Sequence, residues 1–145
     1  MIVDSVEINR SPEDVFAYLD QLERHGEWQE SILEVQVDTD GPTRVGSRAT
    51  EKRKVPGGPR EMTYEVTEHD PPRRVAFRGL TGPVRPVGTV VVESLGDGTS
   101  SRLTLEFDLE GHGLGKLIAP FARMDARRQI PKDQQRLKER LESGA

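Results

Sequence analysis

Alternation of apolar and polar positions runs through most of the first 110 residues, and helical spacing takes over after them. In residues 2–9, Ile2, Val6 and Ile8 fall on one side against Val3, Ser5, Glu7 and Asn9, which predicts a strand with one buried face. Ser11-Pro12-Glu13-Asp14 then carries the signs of a helix start, with Ser11 as N-cap, Pro12 at the first helical position and acids in the first turn. Val15, Phe16, Leu19 and Leu22 supply its apolar side; it ends before Gly26, and Glu27-Trp28-Gln29 follows in a second turn or loop. Strand spacing resumes at Leu33, Val35 and Val37, and Asp40-Gly41-Pro42 turns the chain. Residues 45–54 read as a strand with charge on both faces: either an exposed edge, where charge discourages pairing with another chain, or a strand that points Glu51 or Arg53 into a cavity. Pro56-Gly57-Gly58-Pro59 leads into Met62, Tyr64 and Val66, and Asp70-Pro71-Pro72 precedes Val75 and Phe77. Residues 79–86, rich in glycine and proline, are expected to form a mobile loop over a cavity entrance. Residues 87–95 and 103–109 are the clearest strands, joined by a hairpin turn at Gly96-Asp97-Gly98-Thr99.

Residues 113–142 form the longest helix-compatible segment, roughly 40 Å at about 1.5 Å per residue. A single long helix after a run of strands must find its cover on a sheet. Its apolar residues fall in two sets, Leu114, Leu117, Ile118, Phe121 and Met124 on one side and Ile130, Leu137 and Leu141 on another, with Pro131 between. A proline within a helix leaves the carbonyl four residues back without its donor, so a kink near 127–131 is expected to re-aim the second set. Pro120 suits a first turn, which places the start of the continuous helix near Ala119, after a short turn at 114–118. On this reading the N-terminal half faces the concave side of the sheet and the C-terminal half closes one end. The order of elements predicts one α+β domain over residues 1–145, built on an antiparallel sheet of about seven strands with short helices after the first.

Composition narrows the functional classes. With 33% hydrophobic and 32% charged residues the core is sparse, so the four Phe, two Tyr and one Trp are each expected to matter for packing or for a cavity. A net charge of −4 argues against non-specific nucleic-acid binding. The absence of cysteine excludes disulfides, thiolate metal sites and thiol nucleophiles. The N-terminus lacks the basic start and apolar run of a signal peptide, and no run approaches membrane-spanning length, so a soluble cytoplasmic protein is expected.

Ser11-Pro12-Glu13-Asp14-Val15-Phe16 after the first strand, Glu27-Trp28 before the second, Gly96-Asp97-Gly98-Thr99 between the last two strands and the terminal helix together resemble the SRPBCC or START-like superfamily, in its polyketide cyclase/dehydratase group. The resemblance spans nearly the whole chain. It implies a helix-grip fold, in which a curved sheet wraps around the long C-terminal helix and leaves a cavity between them. Because members of the superfamily include carriers as well as cyclases, it implies no particular reaction.

Given such a cavity, Trp28, Met62, Tyr64, Phe77, Val91, Phe107, Phe121 and Met124 are its expected lining. A cyclase would need a polar group there to polarise a carbonyl or move a proton; strand alternation offers Glu51, Arg53, Tyr64, Arg78 and Glu106, with Asp125 on the helix, and Tyr64 and Arg78 are the favoured pair. His25, His69 and His112 lie far apart without the spacing of a metal pair, so neither metal nor other cofactor is expected. The leading expectation is therefore binding of a small hydrophobic ligand, such as a lipid, isoprenoid or aromatic polyketide, by a monomer or homodimer. A metal-free cyclase or dehydratase is the alternative. A third reading uses the basic residues Arg127, Arg128, Lys132 and Arg136 to meet an acidic partner.

Overall fold

In the computed structural model, which describes residues 1–144, alternation produces seven strands: β1 (Ile2–Ile8), β2 (Ile32–Val37), β3 (Arg48–Val55), β4 (Gly58–Asp70), β5 (Arg74–Gly79), β6 (Val84–Leu95) and β7 (Ser100–Gly111). They form one curved sheet in the order β1-β7-β6-β5-β4-β3-β2, antiparallel throughout. Between β1 and β2 come α1 (Pro12–Leu19) and a short 3₁₀ helix (Leu22–Glu27), and the chain closes with α2 (Gly115–Glu142), which lies over β7, β1 and β6. This is the expected helix-grip arrangement.

Two departures from the sequence expectation bear on the interior. β6 opens earlier, because Val84, Arg85 and Pro86 pair with Gly111, Glu110 and Leu109, which leaves a connection of residues 80–83 in place of the long loop. β3 is an inner strand, flanked by β2 and β4, so its charges are not edge protection. Register instead sets Glu51 opposite Val35 and Met62 on the concave face, where it is 3% exposed.

Helix α1 seals one end of the interior. The Ser11 hydroxyl accepts from the Asp14 amide at 3.2 Å, and Val15, Phe16, Tyr18 and Leu19 pack with Ile8, Val92, Leu103, Leu137 and Leu141. The Tyr18 hydroxyl donates to Glu27 at 2.8 Å, and Arg24 and Arg140 bond the same carboxylate, so α1, the 3₁₀ helix and the last turns of α2 are tied at one point.

The long helix departs most from its reading. It begins at Gly115, runs through both Pro120 and Pro131, and turns Leu114, Leu117, Ile118, Phe121 and Met124 away from the sheet. Its sheet-facing stripe is Gly115, Ala119, Ala122, Ala126, Ile130, Gln134, Leu137 and Leu141, each buried or half-buried and in phase over the whole length. Small residues carry little hydrophobic signal, yet they are what lets a helix approach a sheet closely. A Cβ on Gly115 would stand 1.7 Å from the Pro83 carbonyl oxygen, so this helix start rests on the β5–β6 connection backbone to backbone. Because the buried stripe already crosses Pro131 in phase, no bend is needed to aim Leu137 and Leu141. We expect Pro131→Ala to stabilise the protein by a part of the roughly 3 kcal/mol that separates the two residues inside a helix. A higher urea midpoint at unchanged slope supports this, and a lower midpoint shows that the proline shapes the packing.

Candidate functional site

The two ends of the interior are filled unequally. At the α1 end Ile8, Val66, Val92 and Leu103 are buried, whereas toward the other end the concave face carries Val35, Met62, Phe77, Leu105, Phe107 and Leu109, all half-buried. The interior is thus open at this end, with an apolar floor. Its centre is a row of rings: Tyr64 and Phe77 have centroids 6.1 Å apart, and Phe77 and Phe107 6.4 Å. The row crosses β6 because the residue between Phe77 and Phe107 is Gly88, where a Cβ would meet Phe77 Cζ at 2.6 Å.

Polar groups are set into this interior. Arg53 Nε donates to Glu51 Oε2 at 2.7 Å, Arg53 Nη1 donates to Ser31 Oγ at 2.8 Å, and Nη2 reaches Gln29 Oε1. Tyr64 lies near this pair; burial, reinforced by the Glu51 carboxylate, pushes its phenol above the usual range, so it stays protonated at neutral pH. Burial also raises the Asp133 carboxyl on α2, against the hydrogen bond from Gln129 at 2.9 Å. His25, with Nε2 2.7 Å from the Leu19 carbonyl and its ring centroid 5.5 Å from that of Trp28, is held below its ordinary range by burial.

Among the described residues, three buried side-chain polar atoms have no hydrogen-bond partner: Trp28 Nε1, Tyr64 Oη and Gln134 Nε2. All three can donate, and an unpaired buried donor costs about 1–3 kcal/mol, so such groups are retained where something else satisfies them.

The structure therefore sorts the expected site residues. Trp28, Met62, Tyr64, Phe77 and Phe107 face the interior, as do Glu51 and Arg53. Val91 does not: it pairs with Arg74 and Thr104 on the convex face, and its neighbours Val90 and Val92 are the inward ones. Arg78, paired with Glu65 and Val87, and Glu106, paired with Val3 and Thr89, are also convex and exposed, which removes Arg78 from the polar participants. Phe121 and Met124, 72% and 54% exposed, stand on the outward side of α2 beside exposed Asp125. In each strand case a one-residue choice of phase decides the face. Gln134 was missed because a glutamine among charged residues reads as helix surface; its place in the stripe 126, 130, 134, 137 and 141 was the available signal. His69 bonds Asp20 at 3.0 Å and His112 is an exposed loop residue, so the histidines do not converge. Two surface depressions, of about 420 Å³ beside Glu7, Asn9 and Lys138 and about 450 Å³ beside Pro131 and Arg136, lie outside the interior.

A curved antiparallel sheet gripping a long C-terminal helix, with an interior open at one end, is the helix-grip fold. The chain belongs to the polyketide cyclase/dehydrase and lipid transport family, whose sequence model matches residues 2–142. No curated protein matches it in sequence. Among solved structures it is similar to the Zhui aromatase/cyclase from a Streptomyces species, at 17% identity over 96% of this chain and 91% of that one with a TM-score of 0.78. It is also similar to a START superfamily protein from Mycobacterium smegmatis, at 15% identity, 97% of both chains and a TM-score of 0.75. A Thermus thermophilus protein gives 22% identity over 99% of both chains, with a TM-score of 0.75. At these identities the likeness is one of fold. Family and fold support ligand binding or a cyclase-type role.

Proposed function

We propose that the open end of the interior binds a small, largely apolar molecule that carries oxygen acceptors, of the lipid, isoprenoid or aromatic polyketide kind. The observation that carries this reading is the set of unpaired donors, Trp28 Nε1, Tyr64 Oη and Gln134 Nε2, in an interior that combines a row of aromatic rings with the Glu51–Arg53 pair. Aromatic rings supply area and the donors supply orientation, the usual division of labour in a ligand site.

Trp28 is the only tryptophan, so its fluorescence reports on binding directly. Anthraquinone is expected to quench it at lower concentration than anthracene, the same tricycle without carbonyls. Tyr64→Phe should separate stability from binding: deleting an unpaired buried hydroxyl is expected to raise stability by about 1 kcal/mol, while the preference for the quinone falls roughly tenfold. Equal affinity of both tricycles for the parent protein, or an unchanged preference in the variant, would sink the reading.

A cyclase-type reaction is the second reading, favoured by one feature. A protonated phenol that is buried and free of hydrogen-bond partners is suited to polarise a substrate carbonyl, and Tyr64 is such a group.

A further inference from the structure

The inward stripe of α2 leaves Leu114, Leu117, Ile118, Phe121 and Met124 on the opposite side, 80%, 72%, 41%, 72% and 54% exposed. Single exposed apolar residues are ordinary on a protein surface. Five at helical spacing, continuous over three turns and uncovered by any other element among the described residues, are not.

The flanks of this row are cationic. Past Met124 the exposed side of the helix continues with Arg127, Arg128 and Lys132, and Lys116 stands beside its first turns. Asp125 is the sole acid in residues 113–132 of a chain whose net charge is −4. Arg123, turned toward β7, is held by Asp108 at 2.9 Å, but Lys116, Arg127 and Arg128 have no ion pair among the described residues.

We propose that this face docks on the surface of a lipid bilayer rich in anionic headgroups. The apolar row would enter the boundary between headgroups and acyl chains, with Arg127, Arg128 and Lys132 among the phosphates. The helix lies on the surface and does not span: no described helix is long and apolar enough to cross a membrane. Charge selects this occupant over a second copy of the chain. A twofold axis through Phe121 would set the cationic flank of each helix against that of its mate, whereas an anionic surface neutralises it. The surface faces away from the interior, so its test does not depend on the identity of any ligand.

The test is co-sedimentation with vesicles of phosphatidylcholine alone and of phosphatidylcholine mixed with phosphatidylserine. Binding is expected to the mixed vesicles, to weaken with added salt, and to be much lower on phosphatidylcholine. The double variant Leu117→Ser, Phe121→Ser should lower partitioning roughly a hundredfold at an unchanged urea midpoint, since neither side chain packs in the core. Arg127→Gln with Arg128→Gln should lower it roughly tenfold or more on mixed vesicles only. Failure of the parent protein to bind mixed vesicles overturns the proposal. So does a concentration-dependent dimer in sedimentation velocity that the Leu117→Ser, Phe121→Ser variant abolishes, which would assign the face to a second copy.

Discussion

Glu51→Ala is expected to destabilise the protein by about 3 kcal/mol, the low end of the range for breaking a buried ion pair. The Glu51 side chain is 4% exposed and its carboxylate bonds Arg53 Nε at 2.7 Å. Without it the guanidinium keeps hydrogen bonds only to the neutral oxygens of Ser31 and Gln29, so a positive charge would remain in the interior without its ion-pair partner. Solvent relieves part of that cost, because Arg53 retains 28% exposure, and this is why the low end applies. Removing both charges with Glu51→Leu and Arg53→Met should recover most of the loss, since apolar pairs of similar volume replace buried ion pairs at little or no cost. Urea unfolding of both variants checks this. A single-variant loss below about 1 kcal/mol would show that water already screens the pair.

Gly115→Ala should cost as much, and against the ordinary sign. Inside a helix the change from glycine to alanine is normally favourable by about 1 kcal/mol. Here the added methyl would meet the Pro83 carbonyl oxygen at 1.7 Å and the Pro83 carbonyl carbon at 2.5 Å, both backbone atoms with no rotamer to change. Either the helix start lifts from the β5–β6 connection or the connection gives way, and the His112 amide, 2.8 Å from the same oxygen, loses its place. A loss of about 3 kcal/mol is expected from such overpacking. A gain in the urea midpoint would show that α2 does not rest on Pro83.

Most of the fold could be read from the sequence because its signals are local. Ser11 and Pro12 mark α1, Gly96 and Gly98 turn the last hairpin, and Leu103, Leu105 and Phe107 alternate through β7 as their register shows. The site was harder for two physical reasons. On a strand, function depends on phase: Arg78 follows inward-facing Phe77, and Val91 lies between inward-facing Val90 and Val92, so both point to the convex face. On α2 the largest apolar residues carry the strongest sequence signal for a buried face. The sheet chose the smallest ones, because close approach of backbones requires Gly115 and Ala119 where bulk would hold the helix off. Glu51 and Arg53 illustrate a third limit: charge on a strand has the same pattern at an exposed edge as over a buried pair, and only the position of β2 distinguishes them.

The alanines of α2 have a consequence for what the open end can hold. Ala122 and Ala126 present one methyl each to the open end of the interior, while the sealed end depends on Leu137, Leu141 and the bonds around Glu27. The contacts that fix the sealed end are thus separate from the two alanines that face the open one. On the proposed reading, these two helix positions are the gauge that sets the dimensions of the guest.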